Sequence, residues 1–408
     1  MQLVEKHIIK KNDKNWKQVD YLSFISKNLY NQAIYHIKQN YKETGKFLRY
    51  YDIEKYFRLN DLKENENYKL LPNNTSQQIL MLLDKNLKSF FALLKLWKKD
   101  KKSLNGCPKF PKYKDKLKGR NILIFTKNQF NIKDGYLNFP KKTKLNNIKT
   151  KVNLKDAQQV RIVPQSSCYV IEIIYNFEEV NYELNKNNYL SIDLGVNNLC
   201  AITTNQPGLK PLLINGKPLK SINQYANKLI AKEQNQLKKN HNKYSSKNLE
   251  KIRLKRQNKI SFYLHNVSKY IIQYCVNNDI KNIVIGHNKE WKQECNIGKR
   301  NNQNFVQIPF NTLIQQVQYK AKMVEINVII TEESYTSKVD HLAFEEMKHQ
   351  ENYLGKRIKR GLFSSSKKLL LNADINGAIG ILRKVIGNDF INQLNRGCVT
   401  QPLKVLPL

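Results

Sequence analysis

The sequence predicts an α/β domain in its second half, preceded by a region of helices and short strands. After residue 189, apolar runs of strand length alternate with segments of helical periodicity, which indicates a mixed sheet with a parallel core. Over 121–180 the runs are short and separated by turn residues, as in a small antiparallel barrel or sheet. Apolar residues recur at helical spacing over 17–42 and again before Trp97.

Each element has a local justification in the order of the chain. LVEKHII is a first short strand, and the helix over 17–42 follows it. Thr75 or Ser76 can cap the helix that continues to Trp97. A turn at Asp134-Gly135 joins two short strands. The later elements are strands at 189–194, 282–286 and 326–331, a long basic helical region at 218–276, a helix at 308–324 and a closing helix from near Ala373.

The charge of the chain indicates a polyanionic partner. Lys and Arg number 71 against 33 Asp and Glu, which gives a formal net charge of +38. Such a field favours nucleic acid or an anionic membrane surface. A membrane is the weaker option, because no run of 18 apolar residues occurs and the start, MQLVEKHIIKK, lacks an apolar signal core. We expect a cytoplasmic, nucleoid-associated bacterial protein that binds nucleic acid.

A polar stretch at 181–188 divides the chain. We predict a nucleic-acid recognition region over 1–185, with a helical insertion at about 15–105. The second domain covers 186–408 and has a basic helical insertion at about 218–276 and a cysteine-free insertion at about 338–370. No two of the six cysteines are spaced as CxxC, so we expect reduced thiols and no disulfide framework.

Two segments are suited to holding nucleic acid. In GCPKFPKYKDK, over 106–116, two prolines forbid regular structure and cations alternate with aromatic rings, a pattern that suits single-stranded or splayed nucleic acid. A plain linker is the alternative. The residues concerned are Lys109, Phe110, Lys112, Tyr113 and Lys114. In the basic helical region, Arg253 and Arg256 are further candidates for phosphate contacts.

Acidic residues stand at strand or helix boundaries in three separate places. Asp193 follows the apolar strand YLSI, and Gly195 then allows the backbone to turn. TEESYTSK (331–338) and LNADINGAIGILRK (371–384) supply the other acids. Three carboxylates in a very basic protein suggest divalent metals held against a phosphodiester, which is nuclease chemistry. Asp374 has a second interpretation, because an Asp at a helix start is a common cap.

Together these motifs resemble the TnpB (OrfB) family of transposon-encoded proteins. The resemblance lies in GCPKFPKYK, YLSIDLGVNNLC, FYLHNVSKYI, the segment from IGHNKEW to VQIPF, ESYTSK, GKRIKRGLF and NADINGAIGILRK. It implies an RNase H-like (RuvC) nuclease domain, and an N-terminal wedge-like β-barrel with an inserted helical recognition bundle. It also implies an RNA-guided DNA endonuclease, related to type V CRISPR effectors, that cuts double-stranded DNA. The implied partners and cofactors are a guide RNA from the transposon end, target DNA beside a short flanking motif, and two Mg²⁺ ions, for which Mn²⁺ can substitute.

By resemblance, Asp193 matches the first catalytic acid and Asp374 the last. Most relatives carry the middle glutamate where this chain has Gly286. We expect Glu333 at the end of the neighbouring strand to replace it, because adjacent strands lie only about 4.8 Å apart. Glu332 is the reserve, since alternation prevents both glutamates from facing inward. More distant candidates are His287, Glu290 and Glu294.

The insertion at 338–370 departs from the resemblance as well. Relatives usually have a four-cysteine zinc ribbon there, whereas this segment has no cysteine, so no structural zinc is expected. His341 and His349 are interpreted as surface histidines, with a metal site as the alternative. Lys356, Arg357 and Arg360 are predicted phosphate contacts near the active site.

Three other functions compete with the guided nuclease. Gly286 favours a nuclease-dead RNA-guided DNA-binding repressor of the same fold. A transposase that joins DNA would read sequence itself, but no helix-turn-helix pattern supports this. A ribosome-associated protein or RNA chaperone would explain the charge but not the acids at the element boundaries. The oligomeric state, the guide and the flanking motif stay open, with the N-terminal helices and 106–116 as the expected neighbourhood of the motif.

Overall fold

The structure is a computed structural model that describes residues 1–59, 66–241, 244–288, 298–359, 361–394 and 396–407. It contains two compact units, Met1–Phe177 and Glu178–Leu408. The division therefore falls a few residues before the boundary that the sequence suggests at 185. Within the described residues, no helix is both long enough and apolar enough to cross a membrane.

The first unit combines helices with two antiparallel sheets. Its helices are α1 (Trp16–Thr44), α2 (Tyr50–Leu59), α3 (Glu66–Leu70) and α4 (Asn73–Lys99). Its strands are β1 (Gln2–Ile9), β2 (Leu123–Thr126), β3 (Asn131–Lys133), β4 (Tyr136–Asn138), β5 (Ile148–Lys149), β6 (Ala157–Pro164) and β7 (Tyr169–Asn176). One sheet has the order β1-β7-β6-β2 and the other β3-β4-β5. Within the described residues these sheets do not pair with each other, so their hydrogen bonds do not close the barrel that the family resemblance implies.

Two local predictions for the first unit, a turn and a helix cap, have different outcomes. The turn at Asp134 and Gly135 is confirmed, with φ angles of 54° and 74° between the antiparallel strands β3 and β4. The predicted cap of α4 is wrong, because the helix already begins at Asn73. Ser76 lies inside the helix, where its hydroxyl donates to the carbonyl of Tyr68 at 2.8 Å. That hydroxyl therefore bonds helix α3 and does not cap α4.

The second unit is built on a six-stranded sheet of order β12-β11-β8-β9-β10-β16. Its strands are β8 (Tyr189–Leu194), β9 (Asn198–Thr204), β10 (Leu212–Asn215), β11 (Asn282–Gly286), β12 (Asn327–Thr331), β13 (Lys356–Lys359), β14 (Leu362–Ser364), β15 (Leu370–Asn372) and β16 (Leu403–Val405), of which β13 to β15 form a separate sheet. β11 pairs in parallel with both β8 and β12, which confirms the mixed sheet with a parallel core. Chain segments that leave these three strands therefore emerge at one edge of the sheet.

Helices cover both faces of the six-stranded sheet. They are α5 (Lys217–His241), α6 (Lys247–Asn277), α7 (Lys299–Val306), α8 (Phe310–Met323), α9 (Ala373–Ile386), α10 (Asp389–Gln393) and α11 (Arg396–Thr400). Because side chains alternate along a strand, Ile285 faces the core formed with α6 and α8, and Val284 faces α9. Ser191 lies on the α9 face, where its hydroxyl donates to the carbonyl of Ala378 at 2.7 Å. Asp193, two residues further, lies on that face too.

The segment at 338–370 folds around a buried aspartate. Oδ2 of Asp340 accepts hydrogen bonds from Oγ of Ser365 at 2.8 Å and from the backbone N–H of Ser366 at 2.7 Å. Oγ of Ser366 donates to the same oxygen at 2.8 Å. Phe363 of β14 is fully buried beside this node. A carboxylate with three donors therefore ties the start of the segment to the turn that follows β14.

Candidate active site

The first acid, Asp193, lies at the end of β8 against helix α9. A side chain at Gly377 of α9 would not fit there, since an ideal Cβ would be 2.7 Å from Oδ2 of Asp193. Glycine at 377 thus allows the helix to approach the carboxylate closely. The sheet and the helix flank the acid, which is half-buried.

The third acid, Asp374, belongs to the first turn of α9. The side chain of Asn372 caps this helix by accepting from the backbone N–H of Asp374 at 2.9 Å, so Asp374 itself is free of the capping role. Asn198 of β9 donates to Oδ2 of Asp374 at 2.8 Å. Arg357 of β13 forms an ion pair with Oδ1 at 3.6 Å. The carboxylate is therefore oriented from the sheet on one side and from the insertion on the other.

Glu333, the predicted middle acid, is the second residue after the end of β12. An ideal Cβ on Gly286 of β11 would lie 2.8 Å from Cγ and 2.9 Å from Oε1 of Glu333, and it would also meet Cδ1 of Ile381. The glutamate side chain thus fills the space beside α9 that a residue at 286 would otherwise take. Oδ1 of Asn288 accepts from the backbone N–H of Glu333 at 2.9 Å, which holds the turn against the end of β11.

Glu332, the reserve prediction, lies outside this arrangement. It is exposed, and its carboxylate accepts from the hydroxyl of Ser334. Its backbone carbonyl accepts from Nζ of Lys384 in α9 at 3.0 Å. The geometry thus favours Glu333, although both glutamates follow the end of β12.

The charges of Glu333 and Asp374 act on Asp193. Burial and the neighbouring charges of Glu333 and Asp374 raise the pKa of Asp193 well above its usual value. Burial raises the pKa of Glu333 to about 7, against a smaller opposing effect from Lys384. Oε1 of Glu333 is buried without a hydrogen-bond partner among the described residues. A buried carboxylate oxygen without a donor, beside other acids, is poorly stabilised unless a cation compensates it.

The donor set fits hard divalent cations. Carboxylate oxygens are the ligands that Mg²⁺ prefers, and this ion is commonly held by one or two carboxylates with waters completing its shell. Among the described residues, no three His, Cys, Asp or Glu side chains are grouped as ligands of one ion. Asp193, Glu333 and Asp374 are the carboxylates whose chemistry would suit such an ion.

Comparisons with known proteins agree with this architecture. Residues 172–292 match the OrfB family model, described as a probable transposase, and 310–381 match the Cas12f1-like TNB domain. Over these two segments, the chain is similar to the OrfB family and to the Cas12f1-like TNB domain. No curated protein matches the sequence significantly.

Solved structures add a likeness of fold to these matches. A cryo-EM structure of the Cas12f1–sgRNA–target DNA complex is 15% identical, covers 90% of this chain and 81% of its own, and gives a TM-score of 0.51. The mini-RNA-guided endonuclease CRISPR-Cas phi3 is 11% identical, with coverages of 99% and 93% and a TM-score of 0.44. C2c1 of Alicyclobacillus acidoterrestris with single-guide RNA is 9% identical, with coverages of 92% and 68% and a TM-score of 0.37. Only the Cas12f1 structure is similar enough to support an argument, and its likeness shows a shared fold and nothing further.

The predicted phosphate contacts lie in different surroundings. Lys356 and Arg357 are exposed on β13, and Arg357 reaches Asp374, whereas Arg360 lies outside the described residues. Arg253 is exposed on α6. Arg256 is half-buried, and its Nε donates to Oδ1 of Asn223 at 2.7 Å, so it is engaged in joining α6 to α5.

The segment at 106–116 is not a free linker, and its aromatic rings are not all exposed for stacking on bases. Phe110 packs against the rings of Phe47 and Phe90, with centroid distances of 5.9 Å and 5.5 Å. The backbone of Lys114 is bonded to the side chain of Asn31 in α1 through both its N–H and its carbonyl, each at 2.9 Å. The side chain of Lys114 is half-buried over the ring of Tyr30. Lys109, Lys112 and Tyr113 are the exposed members of the set.

The expectation of two surface histidines in the insertion is half wrong. His349 is exposed, but His341 is completely buried. Nε2 of His341 bonds the carbonyl of Thr336 at 2.8 Å, and Nδ1 bonds Nη1 of Arg383 at 2.8 Å. Of the more distant acid candidates, Glu290 and Glu294 lie outside the described residues. His287 follows β11, and its backbone N–H donates to the carbonyl of Thr331 at 2.9 Å.

Sequence reasoning missed the residues that orient the acids. Asn198 and Asn288 are ordinary polar residues in the motifs GVNN and GHN, and their roles require partners far away in the chain. A usable signal was the pair Gly377 and Gly380 in NADINGAIG. Glycines inside an apolar helix lower its stability, so their presence often indicates close packing.

Proposed function

We propose that the chain is the RNA-guided DNA endonuclease of a transposable element, which cuts double-stranded DNA beside a short flanking motif. The observation that carries the proposal is the position of Glu333. Its carboxylate occupies the space left by Gly286 and raises the pKa of Asp193 together with Asp374. Asp193 and the two acids whose charges act on it would supply the anionic oxygens that metal-dependent phosphodiester hydrolysis needs.

Asp193, Glu333 and Asp374 would hold two Mg²⁺ ions, or Mn²⁺ in their place. Metals bound there would activate a water and stabilise the leaving oxygen of an in-line displacement. The effect of both other acids on the pKa of Asp193 supports a joint role of the three carboxylates. Asn198 and Asn288 would keep Asp374 and Glu333 aimed at the same region during the reaction.

Arg357 is the protein group best placed to meet a phosphate. It is 49% exposed in its side chain and stands 3.6 Å from Oδ1 of Asp374. A guanidinium is suited to bidentate contact with phosphate oxygens. Bound metals would compensate the charge of Asp374 and leave Arg357 available for the DNA strand. Lys356 beside it would add a second positive charge.

The proposed partners are a guide RNA made from the transposon end and target DNA. The similar Cas12f1 structure is a complex with sgRNA and target DNA. In such a system, base pairing with the guide reads the sequence, and the protein reads backbone shape and the short flanking motif. The net charge of +38 provides the electrostatic attraction for both nucleic acids.

Plasmid cleavage tests the proposal. The protein would be co-expressed with the RNA encoded downstream of its gene and with a chosen guide, purified, and incubated in Mg²⁺ with targets that carry randomised flanks. Glu333→Gln keeps the shape of the side chain and removes its charge, and Glu332→Gln is the matched neighbouring control. We expect wild type and the control to cut, and Glu333→Gln to lose at least about 100-fold in rate, since a catalytic metal contributes several kcal/mol.

The alternative function gives a different result in the same assay. A nuclease-dead guided repressor would bind the guided target, measured by gel shift, without cutting it in Mg²⁺ or Mn²⁺. Equal cutting by Glu333→Gln and wild type would show that Glu333 is not the middle acid. Failure of both binding and cutting with every guide would exclude a guided function.

A further inference from the structure

We infer that His341 is a positioning residue for Glu333, to which it is linked through Thr336. The inference rests on the proposed metal-binding role of Glu333. His341 belongs to the insertion at 338–370 and is not in the set of acids. By this link, the folded insertion holds the middle acid in place.

The turn after Glu333 is the first part of the link. The backbone N–H of Thr336 donates to the carbonyl of Glu333 at 3.2 Å, and the hydroxyl of Thr336 donates to the same oxygen at 2.9 Å. Between them, Tyr335 has a φ of 64°, in the left-handed region that is unfavourable for a bulky side chain. A turn with such a residue needs anchoring by its surroundings, and the buried Thr336 is the anchor.

The imidazole of His341 fixes Thr336 from the other side. Arginine can only donate hydrogen bonds, so the contact of 2.8 Å between Nη1 of Arg383 and Nδ1 makes Nδ1 the acceptor. Nε2 then carries the proton and donates to the carbonyl of Thr336 at 2.8 Å. Burial lowers the pKa of His341 to about 4, so the ring is neutral and keeps this tautomer near neutral pH.

Helix α9 connects this network to the other acids. At Gly380 an ideal Cβ would meet Nε2 of His341 and would lie 2.6 Å from its Cε1 and 2.9 Å from Cβ of Thr336. The helix therefore packs closely against both residues at Gly380, as it packs against Asp193 at Gly377. Arg383, one turn further along the helix than Gly380, supplies the bond to His341. One helix thus sets the positions of Asp193, Asp374 and the anchor of Glu333.

The insertion provides the remaining support of the imidazole. Nη1 of Arg383 also donates to the carbonyl of Glu345 at 3.1 Å. The carboxylate of Glu345 accepts from the backbone N–H of Asp340 at 2.6 Å, and Asp340 is the node that ties the segment to Ser365 and Ser366. When this segment is folded, His341 is held in one orientation. Partners of this kind, behind the metal ligands, typically contribute 10–100-fold to metal affinity.

Metal binding by the guide-loaded, DNA-free protein tests the inference without relying on cleavage. Mn²⁺ is the probe, and electron paramagnetic resonance measures the fraction bound during a titration. The variants are His341→Leu, which removes both hydrogen bonds, and His341→Gln, which keeps an amide donor. His349→Leu, at an exposed site in the same insertion, is the matched control. Thr336→Val removes the hydroxyl bond to Glu333 at nearly constant volume and gives a second, independent break in the link.

We expect His341→Leu to raise the Kd for Mn²⁺ by about 10- to 100-fold and His341→Gln to raise it less. Thr336→Val should shift it in the same direction, and His349→Leu should leave it unchanged. Guided DNA binding should be retained, and excess Mn²⁺ should restore the bound fraction. If His341 had a merely structural role, His341→Leu would lower the melting temperature. Neither excess Mn²⁺ nor the substitution His341→Gln would then restore the loss.

Unchanged Mn²⁺ affinity in folded His341→Leu and Thr336→Val, with affinity lost in Glu333→Gln, would overturn the inference and leave the proposed function standing. Unchanged affinity in Glu333→Gln would instead remove the metal role of Glu333, and the inference would fall with it. Mn²⁺ binding that depends on His341 in a protein that cuts no DNA would support the positioning role and contradict the proposed nuclease. If His341→Leu fails to fold, Thr336→Val and His341→Gln decide the question.

Discussion

The side chain of Glu333 occupies the space that a side chain on Gly286 would need. The ideal Cβ at 286 would lie 2.8 Å from Cγ and 2.9 Å from Oε1 of Glu333, distances that real Cβ atoms do not show. The two positions face each other across the pairing of β11 with β12, near the point where Gly286 pairs with Thr331. Only one of them can carry a glutamate at this place.

An exchange of positions should therefore restore function in part. Glu333→Ala vacates the space, and Gly286→Glu then offers a carboxylate from the neighbouring strand. We expect Gly286→Glu/Glu333→Ala to cut guided plasmid at least about 10-fold faster than Glu333→Ala alone, since a restored metal ligand recovers transition-state stabilisation. The control Gly286→Glu/Glu332→Ala keeps Glu333 in the space that the new side chain at 286 needs. We therefore expect this control to cut poorly. Equal rates for the exchange and for Glu333→Ala would argue against a shared space.

The raised pKa of Glu333 predicts how stability depends on pH without metal. Burial raises this pKa from 4.5 to about 7, so between these values the folded state binds more protons than the unfolded state. Stability should therefore fall as pH rises through this window, and Glu333→Gln should remove that contribution. Melting temperatures of wild type and Glu333→Gln in EDTA, from pH 5 to 8, test this. Parallel curves would contradict the prediction, and added Mg²⁺ should reduce the wild-type loss at high pH.

The buried carboxylate of Asp340 should be essential to the insertion at 338–370. Asp340→Ala leaves the donors of Ser365 and Ser366 without their acceptor, so we expect a loss of about 2–4 kcal/mol in local stability. Hydrogen exchange of the segment measures it. Glu346→Ala, at a side chain that is 71% exposed, is the control and should change stability by less than about 0.5 kcal/mol.

Chelation provides a related test of the same segment. Hydrogen bonds to Asp340 and the packing of Phe363 hold the insertion together, so EDTA should leave its exchange protection unchanged. This is the prediction of no structural zinc. A loss of protection in EDTA that Zn²⁺ reverses would contradict it.

Within 106–116, substitution of the packed ring should lower stability, and substitution of the exposed lysines should weaken nucleic-acid binding. Phe110→Ala removes a ring packed on Phe47 and Phe90 and should cost roughly 1–2 kcal/mol of stability, less than a fully buried ring. Lys109→Ala/Lys112→Ala should leave stability unchanged and weaken binding of guide RNA or target DNA, with a reduced dependence on salt. Melting curves and binding at several salt concentrations measure the two effects. A reversed pattern would show that the lysines are structural.

Local patterns in the sequence were sufficient for the strands that carry the site. The strands at 189–194 and 282–286 have the bounds that the apolar runs predict, and α9 begins at Ala373. Asp193 and Asp374 could be named because each stands at the end of an element with strong local signals. The family resemblance itself rests on such short ordered motifs and is supported by the matches at 172–292 and 310–381.

The sequence by itself determined the charge, the order of the main strands and helices, and the positions of Asp193 and Asp374 at the ends of their elements. Only the tertiary structure put Glu333, and not Glu332, beside Gly286, buried His341, and made Phe110 and Lys114 packing residues. The physical reason is the range of the interactions. Periodicity and turn chemistry act within a few residues, whereas the space at Gly286, the bond from Arg383 and the contact of Gly380 depend on segments that meet only after folding.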